Sequence, residues 1–149
     1  MSRMPKRRET DIDWDWPNRH YGLYKDAFDS RDFTGAFQCA FESAIIGGTK
    51  FRASNAPEDQ YHRALFFGLA AIAAEKVGSE DNLLDMYFMT RIVLEEIGPV
   101  KDIQSGYRVS LQDLEKNLTR LAKAVESLGI DPAQNPRIFM RTRKAMGGR

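Results

Sequence analysis

With 149 residues, 42% hydrophobic and 29% charged, the chain is long enough for one packed domain and too apolar for wholesale disorder. No apolar run reaches the roughly 18 residues of a membrane span, and a single cysteine excludes an internal disulfide or a cysteine-based metal cluster. The formal net charge of +1 hides a segregation: nine of the 22 basic residues lie in 1–8 and 137–149, which contain no acid, so the remaining 13 face all 21 acids and the middle carries a net of −8.

Residues 1–19 read as a tail. They are charged, lack helical periodicity and are interrupted by Pro17. The alternation Asp11-Ile12-Asp13-Trp14-Asp15-Trp16 puts both tryptophans on one side of an extended segment. Such a pair either clamps the tail to its own domain or anchors a protein partner. The basic start has no apolar stretch behind it, unlike a signal peptide, so a cytoplasmic location is expected, the host cytoplasm for a viral protein.

Residues 20–130 form the expected helical domain. Residues 20–28 suit a short helix or turn. Ser30 is the candidate N-cap of the first clear helix, on which Phe33, Ala36, Phe37, Ala40, Phe41, Ala44 and Ile45 recur at three- and four-residue steps as one apolar face, closed by Gly47-Gly48. Residues 49–56 are a loop carrying Lys50 and Arg52. Pro57 opens the next helix, which runs to Val77 before Gly78; from Ala64 to Ala74 it is apolar nearly all round, which predicts the most buried helix of the fold. Ser79 caps a third helix with Glu80 and Asp81 in its first turn, and Gly98-Pro99 ends it.

After a connection over 100–109, Ser110 opens a helix with Leu111, Leu114, Leu118, Leu121, Val125 and Leu128 spaced 3, 4, 3, 4, 3, a coiled-coil seam that Gly129 closes. The seam either fills the chain's own bundle or pairs with another copy. Residues 131–149 read as a basic segment, either a short helix that docks or a tail that orders on a partner, whose large apolar residues before the Gly-Gly-Arg end are Ile138, Phe139 and Met140. The fold class is therefore all-α: a bundle of about four main helices, one of them coiled-coil-like, with flexible basic ends.

Catalytic patterns do not emerge. His20 and His62 are far apart and neither sits in a metal-binding helix motif, so no metal or cofactor is expected. Adjacent acids such as Glu95-Glu96 point about 100° apart on a helix and do not share a proton. Gly47-Gly48-Thr49-Lys50 lacks the first glycine of a phosphate-binding loop and follows a helix instead of a strand. Cys39, between Gln38 and Ala40 with no cation nearby, reads as a packed thiol.

One stretch carries a resemblance. Leu128-Gly129-Ile130-Asp131-Pro132-Ala133-Gln134-Asn135-Pro136-Arg137 follows a leucine-patterned helix, and upstream Asp81-Asn82-Leu83-Leu84-Asp85-Met86-Tyr87 opens an acidic, Leu- and Tyr-rich one. Residues 81–138 resemble the C-terminal half of phage terminase small subunits, from which Pro136 departs. That resemblance implies a non-enzymatic ring-forming protein that recognises viral DNA for a separate packaging motor; it assigns no individual binding residue.

The sequence thus points to a homo-oligomer assembled through the seam 111–128, with Lys50, Arg52, Arg137, Arg141, Arg143 and Lys144 touching DNA phosphates. The alternative is a helical protein-interaction module, such as a viral structural component or an inhibitor, using Trp14, Trp16 and the seam. The DNA reading requires the cations to be clear of the chain's own carboxylates.

Overall fold

The computed structural model describes residues 16–46, 57–97 and 111–145, and every regular element among them is an α-helix: α1 (Trp16–Asp29), α2 (Phe33–Ile46), α3 (Pro57–Val77), α4 (Glu80–Ile97), α5 (Leu111–Glu126) and α6 (Pro136–Ala145). Two of these correct the sequence reading. The chain is already helical from Trp16, with Pro17 in the first turn where its missing N–H costs nothing, so the tail does not extend to residue 19. The basic C-terminal segment is a docked ten-residue helix and not a flexible end up to Ala145.

Helix α3 is the centre. Ala64, Leu65, Phe66, Phe67, Leu69, Ala70, Ala71, Ala73 and Ala74 are all buried, and α2, α4 and α5 pack around them. A helix apolar on every side has no solvent face to offer, which is why its neighbours enclose it. On α2 the fully buried Ala36, Ala40 and Ala44 form the innermost stripe, so that helix approaches its neighbours closely. Helix α1 closes the outside through Tyr24, whose hydroxyl donates to the Leu69 carbonyl at 3.1 Å; burial pushes this phenol well above its ordinary pKa.

Local chemistry sets the turns. Arg31, at φ 65°, reverses the chain between α1 and α2, and Asp32 caps α2 by accepting from the Gly35 N–H at 2.9 Å. Ser30, the expected cap, instead donates back to the Asp26 carbonyl at 2.8 Å. Gly78, at φ 87°, ends α3, with its N–H and that of Ser79 both bonded to the Ala74 carbonyl, the left-handed stop that glycine permits without a Cβ clash. Helices α3 and α4 are therefore an antiparallel hairpin.

Helix α5 runs parallel to α3: Leu114 lies against Gly68, and Arg120 pairs with Glu75 at 2.6 Å. Its stripe is turned inward. Leu114, Leu121 and Val125 are fully buried, while Leu118 and Leu128 are partly buried against the same core. The side chain of Leu111 lies outside the described residues. Of the two alternatives for this stripe, the structure shows the first: α3 and α4 of the same chain pack against it.

Candidate interaction surfaces

Helix α6 crosses α4 antiparallel, held by an apolar anchor and a charged rim. Asn135 caps it, accepting from the Ile138 N–H at 3.0 Å, and Pro136 takes the first helical position, where no donor is needed. The Phe139 ring then stacks on Phe88, centroids 4.1 Å apart. The Arg143 guanidinium lies 5.6 Å from the Phe139 centroid, and that of Arg91 5.8 Å from the Phe88 centroid. Two cations thus bracket two stacked rings, an arrangement favoured by the negative faces of the rings.

The rim is ionic. Arg137 reaches Glu95 and Glu96, both at 3.1 Å. Arg143 reaches Asp85 at 3.0 Å and Asp81 at 3.6 Å. Arg91 donates to the carbonyls of Pro132 (2.7 Å) and Gln134 (2.6 Å), tying the turn before α6 to α4.

This geometry divides the six cations assigned to phosphate. Lys50 and Arg52 lie outside the described residues. Arg137 and Arg143 are paired with the chain's own acids, so as they stand they do not present open guanidinium groups. Arg141 and Lys144 are exposed on the outer side of α6, beside Ile138, which is 56% exposed. The sequence located the basic cluster, but not the acids of α4 that would meet it, because the pairs span 41 to 62 residues of chain, from Arg137–Glu96 to Arg143–Asp81.

A second surface was hidden inside a correct pattern. The apolar face read on α2 is not one face: its alanines point inward, while Phe37, Phe41 and Ile45, four residues apart, sit about 100° round the helix. Phe37 and Phe41 stack with centroids 6.0 Å apart and planes 5° from parallel, and Phe41 and Ile45 remain 37% and 45% exposed. Of the two tryptophans assigned to a partner, Trp14 lies outside the described residues and Trp16 opens α1, its side chain likewise undescribed.

The His20–Ser43 contact is structural. His20 Nδ1 lies 2.8 Å from Ser43 Oγ, but the serine hydroxyl donates to the Cys39 carbonyl at 2.7 Å and is buried. Its proton is committed away from the imidazole, which therefore acts as donor and not as base. Cys39 is half-buried, its thiol 3.8 Å from the His20 carbonyl and pushed up in pKa by burial, the opposite of an activated thiolate. His62 is buried in α3, and desolvation lowers its pKa to about 4, which keeps the ring neutral. A groove of about 220 Å³ at the α3–α4 turn is floored by Ala74, Leu83 and Leu128 and edged by Glu75 and Glu80, a rim that repels phosphate.

Among the described residues no group of three or more His, Cys, Asp or Glu is arranged to hold a metal ion, and no helix is long and apolar enough to cross a membrane. No family model, curated protein or solved structure matches the chain.

Proposed function

We propose that this protein is a non-catalytic helical module that associates with nucleic acid through the outer side of α6. One observation carries the reading: α6 holds four cations and no acid in ten residues, and Arg141 and Lys144 are exposed. Ile138 is the one large apolar group exposed on this helix among the described residues, too little for the apolar centre of a protein interface. Nucleic-acid interfaces are more polar and strongly positive, which this surface matches. The terminase-like stretch 81–138 adds a setting, the marking of viral DNA for packaging.

Phosphate contacts of this kind are salt-sensitive and weakly selective, with the logarithm of affinity falling by about 0.9 per contact for each tenfold rise in salt. Fluorescence anisotropy of a labelled duplex across a salt series tests the reading. Replacing Arg141 and Lys144 together by Ala is expected to reduce the slope by about 2. An unchanged slope assigns any binding to other residues and removes α6 from the contact.

A second reading follows from α2. The row Phe37, Phe41 and Ile45, half-buried at Phe37 and exposed at Phe41 and Ile45, has the four-residue spacing with which helices enter apolar grooves, and favours a protein partner at that face. Phe41→Glu with Ile45→Glu would abolish such an association while leaving DNA binding intact; loss of neither would eliminate this reading.

A further inference from the structure

The ion pairs between α4 and α6 have a property that a purely structural clamp does not need. Arg137 is 44% exposed and both its partners, Glu95 and Glu96, are about half exposed, so water and salt screen the pairs. Arg143 is more enclosed, at 15%, yet its Nε is buried without a hydrogen-bond acceptor. The guanidinium is therefore held with part of its donor capacity unused. Meanwhile the docking of α6 does not depend on these cations alone, since Phe139 stacks on Phe88, Pro136 is buried and Arg91 fixes the preceding turn.

We infer that the α4 carboxylates are a built-in competitor for phosphate: Arg137 and Arg143 exchange Glu95, Glu96, Asp81 and Asp85 for a nucleic-acid backbone while Phe139 keeps α6 seated. The inference rests on the α6 reading above and adds its regulation. Duplex DNA presents a far denser row of anions than four side-chain carboxylates, and binding it releases condensed counterions, a gain that the internal pairs lack. The resting protein then shows two outward cations on α6 and holds two in reserve. An arginine side chain reaches a rim ligand by rotation about its own bonds, so the exchange needs no refolding.

The test neutralises the competitor. Glu95→Gln with Glu96→Gln releases Arg137 without changing side-chain size, and both acids are exposed. Duplex affinity should rise about three- to tenfold and the salt slope should steepen by about 1, the signature of one added phosphate contact. Adding Arg137→Ala should cancel both changes. Asp26→Asn with Glu42→Gln, on α1 and α2, alters the net charge equally and is the control for the overall field. Circular dichroism checks that each variant keeps its helices. Equal effects from the control, or an unchanged slope in the Gln variant, overturn the inference. If the wild type loses binding on Arg141→Ala with Lys144→Ala but ignores neutralisation of Glu95 and Glu96, only the competition falls. If neither the wild type nor the Gln variant binds duplex at low salt, the α6 reading falls and the inference with it.

Discussion

Gly68 on α3 faces Leu114 on α5 so closely that a Cβ at residue 68 would lie 2.9 Å from the Leu114 Cδ1 methyl. The glycine therefore sets how near the two parallel helices come. Alanine there gains about 1 kcal/mol of helix propensity, while crowding a packed core costs about 1–3 kcal/mol. Gly68→Ala should lose about 1 kcal/mol in urea denaturation. In a Leu114→Ala background, itself weaker by about 3 kcal/mol, the same change should turn neutral or stabilising, because the obstructing methyl is gone. Strict additivity would mean that the two residues do not touch.

The docking of α6 predicts a ranking. Phe139→Ala removes the ring stacked on Phe88 and should cost about 2–3 kcal/mol, below the full range for a wholly buried ring. Arg143→Ala leaves the half-buried Asp85 without its guanidinium and should cost about 1–2 kcal/mol. Arg137→Ala breaks only solvated pairs and should cost less than about 1 kcal/mol. Thermal melts in low and high salt check the order, with the Arg137 variant losing its difference from wild type as salt rises and the Arg143 and Phe139 variants keeping most of theirs.

His62 makes stability fall on mild acidification. Its folded pKa is lowered to about 4 from 6.5 by burial, so between those values the unfolded chain takes up a proton that the folded chain refuses. The contribution is complete above pH 6.5 and is lost as pH falls through the window. From pH 7 to pH 5 the loss should be about 2 kcal/mol. His62→Gln should flatten the unfolding free energy across that interval; an equally steep dependence in the variant would place its origin elsewhere.

Cys39 should react slowly. Burial raises its pKa, so at pH 8 little thiolate is present and access is partial. A disulfide-exchange reagent should modify it at least about tenfold more slowly in the native protein than in denaturant. Comparable rates would contradict its packing beside His20.

Much of the fold was legible because its signals are local. Pro57 and Gly78 bracket α3, Ser79 precedes α4, and Gly129 follows α5, where each residue's own backbone preference decides the boundary. The continuous apolar stretch 64–74 announced the buried centre. The cap of α2 was misplaced because Ser30 and Asp32 are both good caps, and only the left-handed Arg31 between them makes Asp32 the one that faces the first turn. Helix α6 was legible only as one of two alternatives, because its apolar residues are few and its stability comes from α4. What could not be read was pairing: the leucine stripe of α5 looks the same whether its partner is α3 or another molecule, and Arg137 carries no local sign of Glu95 and Glu96. The α2 face misled for a subtler reason, since alanine and phenylalanine both count as apolar while the alanines are fully enclosed and Phe41 is exposed.

The alanine stripe of α2 has an evolutionary corollary. Where Ala36, Ala40 and Ala44 are fully enclosed, a single added methylene acts as a wedge between helices, and its displacement carries to the neighbouring His20–Ser43 contact on α1. Drift at those three sites is thus confined to glycine, serine or a compensated pair of changes, whereas the exposed Phe41 and Ile45 on the same helix are at liberty to vary in bulk. Related chains should differ at Phe41 and Ile45 long before they differ at the three alanines.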